Sequence, residues 1–414
     1  MRIAFVVGDV GTISGGFNVI IEYATALQRR GHDVVIAAKD RSSASVWHPQ
    51  LAGLRVTEVA TLGEETFDFA FATWWLTFFE LSRVRSTVYG YLTQSLESRF
   101  HPEPHLKLLN RCTYALPLLM VTEASWLAEL IRMVQPAARV LCIPNGLSRD
   151  FFPCVESPPE RDGPLRVLVE GRWSVPFKGV PETFAALKRA RAAGVPFEAG
   201  WLTVDAGGAR PSLSGGPVEL HERIPLDQVR HVLQRYDVLL KLSHVEGVYG
   251  PPLEMFSQGG TAITYTVTGS DEYVVHGYNG LLVEPYNQRQ IAAYLELLAR
   301  RPKYLSTLRC NALATARRHP DWETSGAMLV DALESIAAQR FTNAEVRPAL
   351  AAFSAVTDRW LDDVRRLDQL GGSVRILGDA VRLLKASAPG RAAKRAMSGT
   401  LGARLSARVR SVLR

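Results

Sequence analysis

Short apolar segments alternate with amphipathic segments over about the first 340 residues of the chain. Ile3–Val7 predicts a buried strand, Gly8–Gly16 a turn, Val19–Gln28 a helix and Val34–Ala37 the next strand. Further strands are predicted at residues 54–59, 67–72, 87–93, 117–122 and 139–143. A regular alternation of strands and helices is typical of parallel α/β sheets.

A polar, proline-rich segment at residues 151–164 divides the chain into two halves of similar pattern. We therefore predict an α/β protein with one Rossmann-like domain at residues 1–150 and a second at residues 165–320. A helix is predicted to begin at residue 321. Ligands of open α/β sheets bind beyond the carboxyl ends of the strands, so the expected site lies in a cleft between the two domains.

Two glutamates eight residues apart, Glu246 and Glu254, flank the predicted start of a helix. Proline is well tolerated in the first turn of a helix, where its missing N–H group costs no hydrogen bond. Unpaired N–H groups at such a helix start attract an anion, and carboxylates accept hydrogen bonds from hydroxyl groups. A diphosphate with a sugar at each end fits this arrangement. The candidate donor-binding residues of this turn are Gly250, Pro251, Pro252, Leu253 and Glu254.

Two basic residues follow the first predicted strand of the second domain, in the segment Glu170-Gly-Arg-Trp-Ser-Val-Pro-Phe-Lys-Gly179. Transfer of a sugar from a nucleotide expels a diphosphate, on which negative charge grows in the transition state. Fixed cations stabilise that charge. Arg172 and Lys178 are therefore predicted to be catalytic, together with Glu246 beside the transferred sugar.

These motifs resemble the family 4 retaining glycosyltransferases, which have the two-domain GT-B fold. The resemblance covers residues 1–340 and is densest at residues 165–285. It implies that Glu254 holds the sugar hydroxyls of the nucleoside and that Gly15 and Gly16 approach the diphosphate from the first domain. It also implies that residues 321–340 form a helix crossing back to the first domain, and that residues around Gly269 begin a further short helix.

The first domain departs from the family pattern after the strand predicted at residues 87–92. Many members carry a donor-contacting histidine there, whereas this chain has Gln94, followed by Glu97 and His101. The Gln-x-x-Glu pattern of Gln94 and Glu97, together with the segments Glu170-Gly-Arg-Trp173 and Val175-Pro-Phe-Lys-Gly179, is similar to a subgroup of bacterial rhamnosyltransferases that build surface polysaccharides. This resemblance implies dTDP-rhamnose as the donor. Gln94, Glu97 and His101 are the candidates for sugar or acceptor contacts. The nearby aromatic residues Trp74, Trp75, Phe78 and Phe79 are predicted either to pack in the core or to line an acceptor site.

The formal net charge of +7 is concentrated at the C-terminal end of the chain. Residues 380–414 hold nine basic and no acidic side chains, which leaves 39 basic and 41 acidic residues elsewhere. Residues 341–414 are predicted to be a helical, basic extension, and residues 373–414 are expected to bind an anionic membrane surface. A solvated tail and a docking helix for a protein partner are the alternatives. Nucleic acid is not an expected partner because no aromatic residues alternate with the basic ones.

The chain enters a buried strand at once and has no apolar run of about 18 residues. We therefore expect a cytoplasmic protein, peripheral on the inner face of the cell membrane where its tail binds lipid.

The sequence supplies no obvious protein nucleophile, and no Asp-x-Asp motif follows a predicted strand. We therefore predict a retaining, metal-independent glycosyltransferase without a cofactor, which acts on a glycan or polyprenyl-linked acceptor. The leaving diphosphate would accept the acceptor's proton. The rival interpretations are a GT-B nucleotide-sugar hydrolase, epimerase or phosphorylase, and a non-catalytic GT-B scaffold in a membrane-associated assembly complex.

Overall fold

The computed structural model describes residues 1–11, 15–40, 48–101, 103–160, 162–214, 216–360, 362, 363 and 366. Residues Met1–Ala351 form one compact unit, and the second unit begins at Ala352. The prediction that residues 373–414 bind a membrane falls outside the described residues. Among the helices that are described, none combines the length and the apolar character needed to cross a bilayer.

The first half of the main unit contains a seven-stranded, wholly parallel sheet with strand order β3-β2-β1-β4-β5-β6-β7. The strands are β1 Arg2–Asp9, β2 Asp33–Asp40, β3 Arg55–Glu58, β4 Thr66–Ala72, β5 Arg85–Thr93, β6 Leu119–Thr122 and β7 Arg139–Cys142. The helices are α1 Gly15–Arg29, α2 Trp75–Phe78, α3 Pro104–Cys112 and α4 Ser125–Val134. The order reverses between β1 and β4, so a crevice opens at the carboxyl end of β1.

The second half contains a six-stranded parallel sheet with order β10-β9-β8-β11-β12-β13. Its strands are β8 Leu165–Glu170, β9 Phe197–Thr203, β10 Val218–Glu222, β11 Val238–Lys241, β12 Thr261–Tyr265 and β13 Gly280–Val283. Its helices are α5 Val180–Ala192, α6 Leu226–Leu233, α7 Pro251–Ser257, α8 Gln288–Arg300 and α9 Pro302–Arg318. The two parallel sheets confirm the predicted fold class of two Rossmann-like domains.

The helix after the second sheet, α10 Trp322–Ala338, packs on the first sheet's core. Its side chains Leu329, Val330 and Leu333 are fully buried there. Beyond α10 the chain continues along the first sheet: the amide of Asn343 pairs with the backbone N–H and C=O of Tyr89. Residues 347–360 are helical.

The prediction of a short helix beginning around Gly269 is wrong, because residues 268–273 form turns. Gly269 has a φ of 85°, and a Cβ there would lie 1.7 Å from the carbonyl oxygen of Gly247. A close approach of two backbones therefore replaces a helix start at this point.

Candidate functional site

The loops that follow β8 and β11 lie side by side, because these two strands are neighbours at the point where the strand order reverses. Arg172 and Lys178 lie on the first loop and Glu246 on the second, with Glu254 one turn into α7. Four of the predicted site residues thus come from one edge of the second sheet, although 82 positions of sequence separate the first from the last.

Lys178 and Glu246 form a direct ion pair in this crevice. The Lys178 Nζ atom lies 2.8 Å from one carboxylate oxygen of Glu246 and 3.0 Å from the other. Gly179, next to Lys178, has a φ of 64°, and a Cβ there would lie 2.1 Å from the carbonyl oxygen of Leu242. Only glycine allows this turn to bring Lys178 against the Glu246 loop.

A buried lysine that sequence reasoning missed lies beneath this pair. Lys241 ends β11 and is 1% exposed. Its Nζ atom donates a short hydrogen bond to Glu170, the last residue of β8, and lies 3.7 Å from Glu246. Lys241 ends a strand that is otherwise apolar, which was a signal in the sequence, whereas the strand that Glu170 ends also contains Arg166. Their pairing required knowledge that β8 and β11 are neighbours.

The two predicted donor glutamates lie in opposite electrostatic environments. Burial alone would raise the pKa of Glu246, but the charges of Lys178 and Lys241 outweigh it and hold the pKa below its usual value. Burial raises the pKa of Glu254 to about 7; the Glu170 carboxylate adds to the rise and Lys241 opposes it. Glu246 is therefore a fixed carboxylate, whereas Glu254 changes its charge near neutral pH.

Helix α7 is short, with seven residues. Its contribution to anion binding through the helix dipole is correspondingly limited, and the cationic side chains carry more of that task. Pro251 and Pro252 occupy the first turn, and the side chains of Pro252 and Leu253 are buried. A Cβ at Gly250 would make only an ordinary contact, 3.7 Å from Glu254.

Two first-domain candidates lie opposite the Glu246 loop. The side chain of Gln94 donates a hydrogen bond of 2.9 Å to the carbonyl oxygen of Gly16, in the first turn of α1. The carbonyl oxygen of Gln94 faces Gly247, where a Cβ would lie only 1.7 Å away. Gly15 is the first residue of α1 and is exposed. Gly16, Gln94 and the Glu246 loop are thus brought together across the cleft.

A buried first-domain carboxyl that the sequence analysis did not select also reaches this loop. Glu123 follows β6 and accepts a hydrogen bond of 3.1 Å from the backbone N–H of Val248. Its other oxygen accepts a short hydrogen bond from the amide of Asn145. Burial raises the pKa of Glu123 to about 8. A glutamate after an apolar strand was visible in the sequence, but its partner 125 positions away was not.

Further contacts join the two domains around the same cleft. Arg99 donates a hydrogen bond of 2.6 Å to the hydroxyl of Thr268, and the rings of Phe100 and Phe177 stack at 4.9 Å. The indole N–H of Trp126 donates to the carbonyl oxygen of Gly247 at 3.1 Å. These contacts hold the loops that carry Lys178 and Glu246 against the first domain.

Glu97 and His101 do not lie with the other candidates at the cleft loops. Glu97 is 2% exposed, and one of its carboxylate oxygens accepts hydrogen bonds from the Trp75 backbone N–H and the Tyr91 hydroxyl. Burial raises its pKa to about 8. His101 packs edge-on against Trp75 at 5.3 Å, and burial lowers its pKa. Both side chains therefore support the packing around α2 in this structure.

The aromatic residues near α2 are core residues for the most part. Trp75, Phe78 and Phe79 are each no more than 3% exposed. Trp74 is more accessible and stacks on Phe100 at 6.1 Å. Packing, the first of the two interpretations given from the sequence, accounts for three of the four.

No group of three or more His, Cys, Asp and Glu side chains within the described ranges has an arrangement that could hold a metal ion. Within the cleft, Glu246 pairs with Lys178 and Lys241, and Glu123 accepts hydrogen bonds from the Asn145 amide and the Val248 backbone N–H.

Part of this site lies in a segment that matches a known protein family. Residues 215–314 match the model of the family described as glycosyl transferases group 1. That match includes Lys241, Glu246 and Glu254, whereas Arg172 and Lys178 precede it. None of the curated protein sequences is a significant match to the chain.

Several solved structures share the fold over most of the chain. HepE of Anabaena, solved in complex with UDP-glucose, has a TM-score of 0.64 and 16% identity, covering 81% of this chain and 100% of that one. Sucrose-phosphate synthase of Thermosynechococcus elongatus has a TM-score of 0.66 and 16% identity, covering 82% and 99%. The lipopolysaccharide outer core galactosyltransferase WaaB, in its apo form, has a TM-score of 0.63 and 16% identity, covering 81% and 99%. The chain therefore has the GT-B fold, and its residues 215–314 match the group 1 glycosyl transferase model.

Proposed function

We propose that this protein is a retaining glycosyltransferase that takes its sugar from a nucleotide diphospho-sugar. The observation that carries the proposal is the cluster formed by Lys178, Lys241, Glu246 and Glu254 at the carboxyl ends of β8 and β11. The site offers the Lys178 cation to a diphosphate and two carboxylates to the sugar groups on either side of it, while Lys241 lies buried beside Glu246. The match to a glycosyl transferase family and the fold shared with a UDP-glucose complex support the same conclusion.

In the proposed binding mode, Glu254 accepts hydrogen bonds from the sugar hydroxyls of the nucleoside. Glu246 lies against the transferred sugar, and Arg172 and Lys178 bind the diphosphate. Gly15 and Gly16 approach the diphosphate from the first domain, where glycine leaves the backbone accessible. Gln94 lies between Gly16 and the Glu246 loop, and it stands where many related enzymes have a histidine.

The proposed reaction proceeds on one face of the transferred sugar. The bond between the anomeric carbon and the diphosphate oxygen breaks, and the acceptor hydroxyl forms its bond on the same face. The acceptor's proton passes to the departing diphosphate. Arg172 and Lys178 stabilise the charge that grows on this group, so the proposed mechanism requires neither a metal ion nor a protein nucleophile.

The donor and acceptor that we propose are dTDP-rhamnose and a glycan or polyprenyl-linked glycan in surface polysaccharide synthesis. The choice of this donor and acceptor rests on the resemblance of the sequence around Gln94 to rhamnosyltransferases. A 6-deoxy sugar has no 6-hydroxyl, which fits the absence of a histidine that would contact one. The basic C-terminal region supports a peripheral location at the membrane that holds such an acceptor.

A thermal-shift panel tests the donor site. We expect one base series among thymidine, uridine and guanosine diphosphates and their sugars to raise the melting temperature of the wild type. The Glu254→Ala variant is expected to lose that stabilisation, since bound ligand stabilises only the state that binds it. Glu296→Ala is the matched control, because Glu296 is a solvent-accessible helix residue of the same domain whose partner is Arg300. No stabilisation by any donor would favour the non-catalytic scaffold.

Donor binding is expected to tighten by about tenfold between pH 6 and pH 8, because only the ionised Glu254 accepts both hydroxyl hydrogen bonds. A carboxyl whose pKa is about 7 is mostly protonated at the lower pH and mostly ionised at the higher one. Isothermal titration with the nucleotide sugar measures this change in affinity. A free nucleoside diphosphate is unsuitable, because its terminal phosphate itself titrates at about pH 6. Glu254→Gln should bind weakly with no pH dependence; a flat wild-type profile would contradict the assignment.

A further inference from the structure

Lys241 occupies an unusual position for a charged residue. It ends β11 between Leu240 and Leu242, both of which are 0% exposed, and its own side chain is 1% exposed. Burial of an ammonium group is strongly unfavourable unless the charge is paired and hydrogen-bonded. The proposed binding mode gives Lys241 no contact with the donor, so its presence needs another explanation.

The partners of Lys241 are the charged residues of the candidate donor site. Its ammonium group donates to Glu170 on one side and lies 3.7 Å from a carboxylate oxygen of Glu246 on the other. The same Glu246 oxygen accepts a hydrogen bond of 2.8 Å from Lys178. Glu254 also acts on Lys241 through its charge. Lys241, at the end of β11, therefore lies close to Glu246 and interacts with Glu254 through its charge.

The two lysines differ in exposure and in their partners. Lys178 is 29% exposed and belongs to a short loop turn, whereas Lys241 is held in the sheet by Glu170. A diphosphate entering the cleft competes with Glu246 for Lys178, because the phosphate oxygens and the carboxylate both accept its N–H groups. Lys241 is the cation that stays beside Glu246 when Lys178 turns toward the diphosphate.

We propose that Lys241, anchored by Glu170, is a positioning residue that holds Glu246 in place during donor binding and supplies positive charge to the carboxylate cluster that includes Glu254. This inference rests on the proposed function. It goes beyond that function by assigning a role to a lysine and a glutamate that do not touch the donor. The simpler alternative is a buried ion pair that only stabilises the sheet.

Two variants separate these roles. Lys241→Met leaves Glu170, whose side chain is 26% exposed, without its partner and removes a cation from beside the buried Glu246, so a loss of stability is expected under either role. The double variant Glu170→Gln/Lys241→Met removes both charges and should recover most of that stability. If the pair were only structural, donor binding would recover as well. We expect instead that the double variant melts near the wild-type temperature but binds the donor about tenfold more weakly or worse.

The pH profile of donor binding supplies a second readout, because it follows the charges that act on Glu254. The charged and titratable groups that face Glu246 and Glu254 are Glu170 from β8, Lys241 from β11, Lys178, Tyr249, Tyr273 and, from the first domain, Arg99 and Glu123. Removal of the cation in Lys241→Met should move the midpoint of the profile to higher pH. Removal of the anion in Glu170→Gln should move it to lower pH.

Isothermal titration of the full chain with UDP-glucose, dTDP-rhamnose and GDP-mannose provides both measurements. Opposite shifts of the midpoint in the two single variants, with weak binding by the double variant, are the expected result. Unchanged midpoints, or full recovery of donor binding in the double variant, would overturn this inference alone. If the double variant does not fold, the Glu170→Gln shift decides the question. Failure of the wild type to bind any nucleotide sugar would overturn the proposed function and this inference with it.

Discussion

Replacement of Lys178 by alanine is expected to lower kcat by about 10²–10³ while the protein stays folded. Lys178 pairs with Glu246 and is 29% exposed. Its removal leaves no deeply buried charge unpaired. Glu246 retains Lys241 at 3.7 Å. The loss should therefore fall on the transition state, where negative charge grows on the departing diphosphate, and less on donor affinity.

Release of nucleoside diphosphate from the donor identified in the thermal-shift panel measures this effect. Lys188→Ala is the matched control, since it removes a lysine from an exposed position of α5 in the same domain. Lys178→Arg should retain part of the rate because it keeps the charge but changes its geometry. A Lys178→Ala enzyme within fivefold of the wild-type kcat would exclude Lys178 from the leaving-group site.

The second large effect is expected from a single added methyl group, in Gly247→Ala. An ideal Cβ at this position would lie 1.7 Å from the carbonyl oxygen of Gln94 and 2.7 Å from the Glu123 carboxylate. The loop that carries Glu246 must then move away from the first domain by more than about 1 Å. A displacement of that size costs about 10²-fold in rate where catalytic groups have to be aligned. We expect kcat/KM to fall by about that factor.

The melting temperature should change little, because the collision lies between two domains and not inside either core. Gly53→Ala is the control: an added Cβ there meets no atom within 4 Å. Steady-state kinetics and a thermal melt of both variants decide the outcome. Activity of Gly247→Ala within threefold of the wild type would mean that catalysis does not use this closed arrangement of the cleft.

Much of the architecture was accessible from residue patterns, and the physical reason is local. Strands of apolar residues and helices of amphipathic residues are set by neighbours in sequence, so the alternation gave the parallel α/β class. The motifs around Lys178 and Glu246 were equally visible. Each lies within a loop of about ten residues directly after a buried strand, and the carboxyl ends of such strands meet at one edge of a sheet.

The candidates in the first domain show where this reasoning ends. Gln94 and Glu97 are three positions apart, yet Gln94 reaches Gly16 at the cleft while Glu97 is buried beneath Trp75 and Tyr91. Sequence spacing alone did not reveal which of these two polar residues would face the cleft. The packing of α2 against the sheet decided which side chain became buried.

The sequence by itself determined the two parallel domains, the loops that hold Arg172 and Lys178, and the glutamates at the start of α7. Only the tertiary structure decided which charges meet. Lys241 and Glu170 are 71 positions apart, and Glu123 and Val248 are 125 apart. Strand order and the approach of the two domains create these contacts, and burial then determines which carboxyls keep their protons near neutral pH. Those are properties of the folded surroundings, which no stretch of sequence contains on its own.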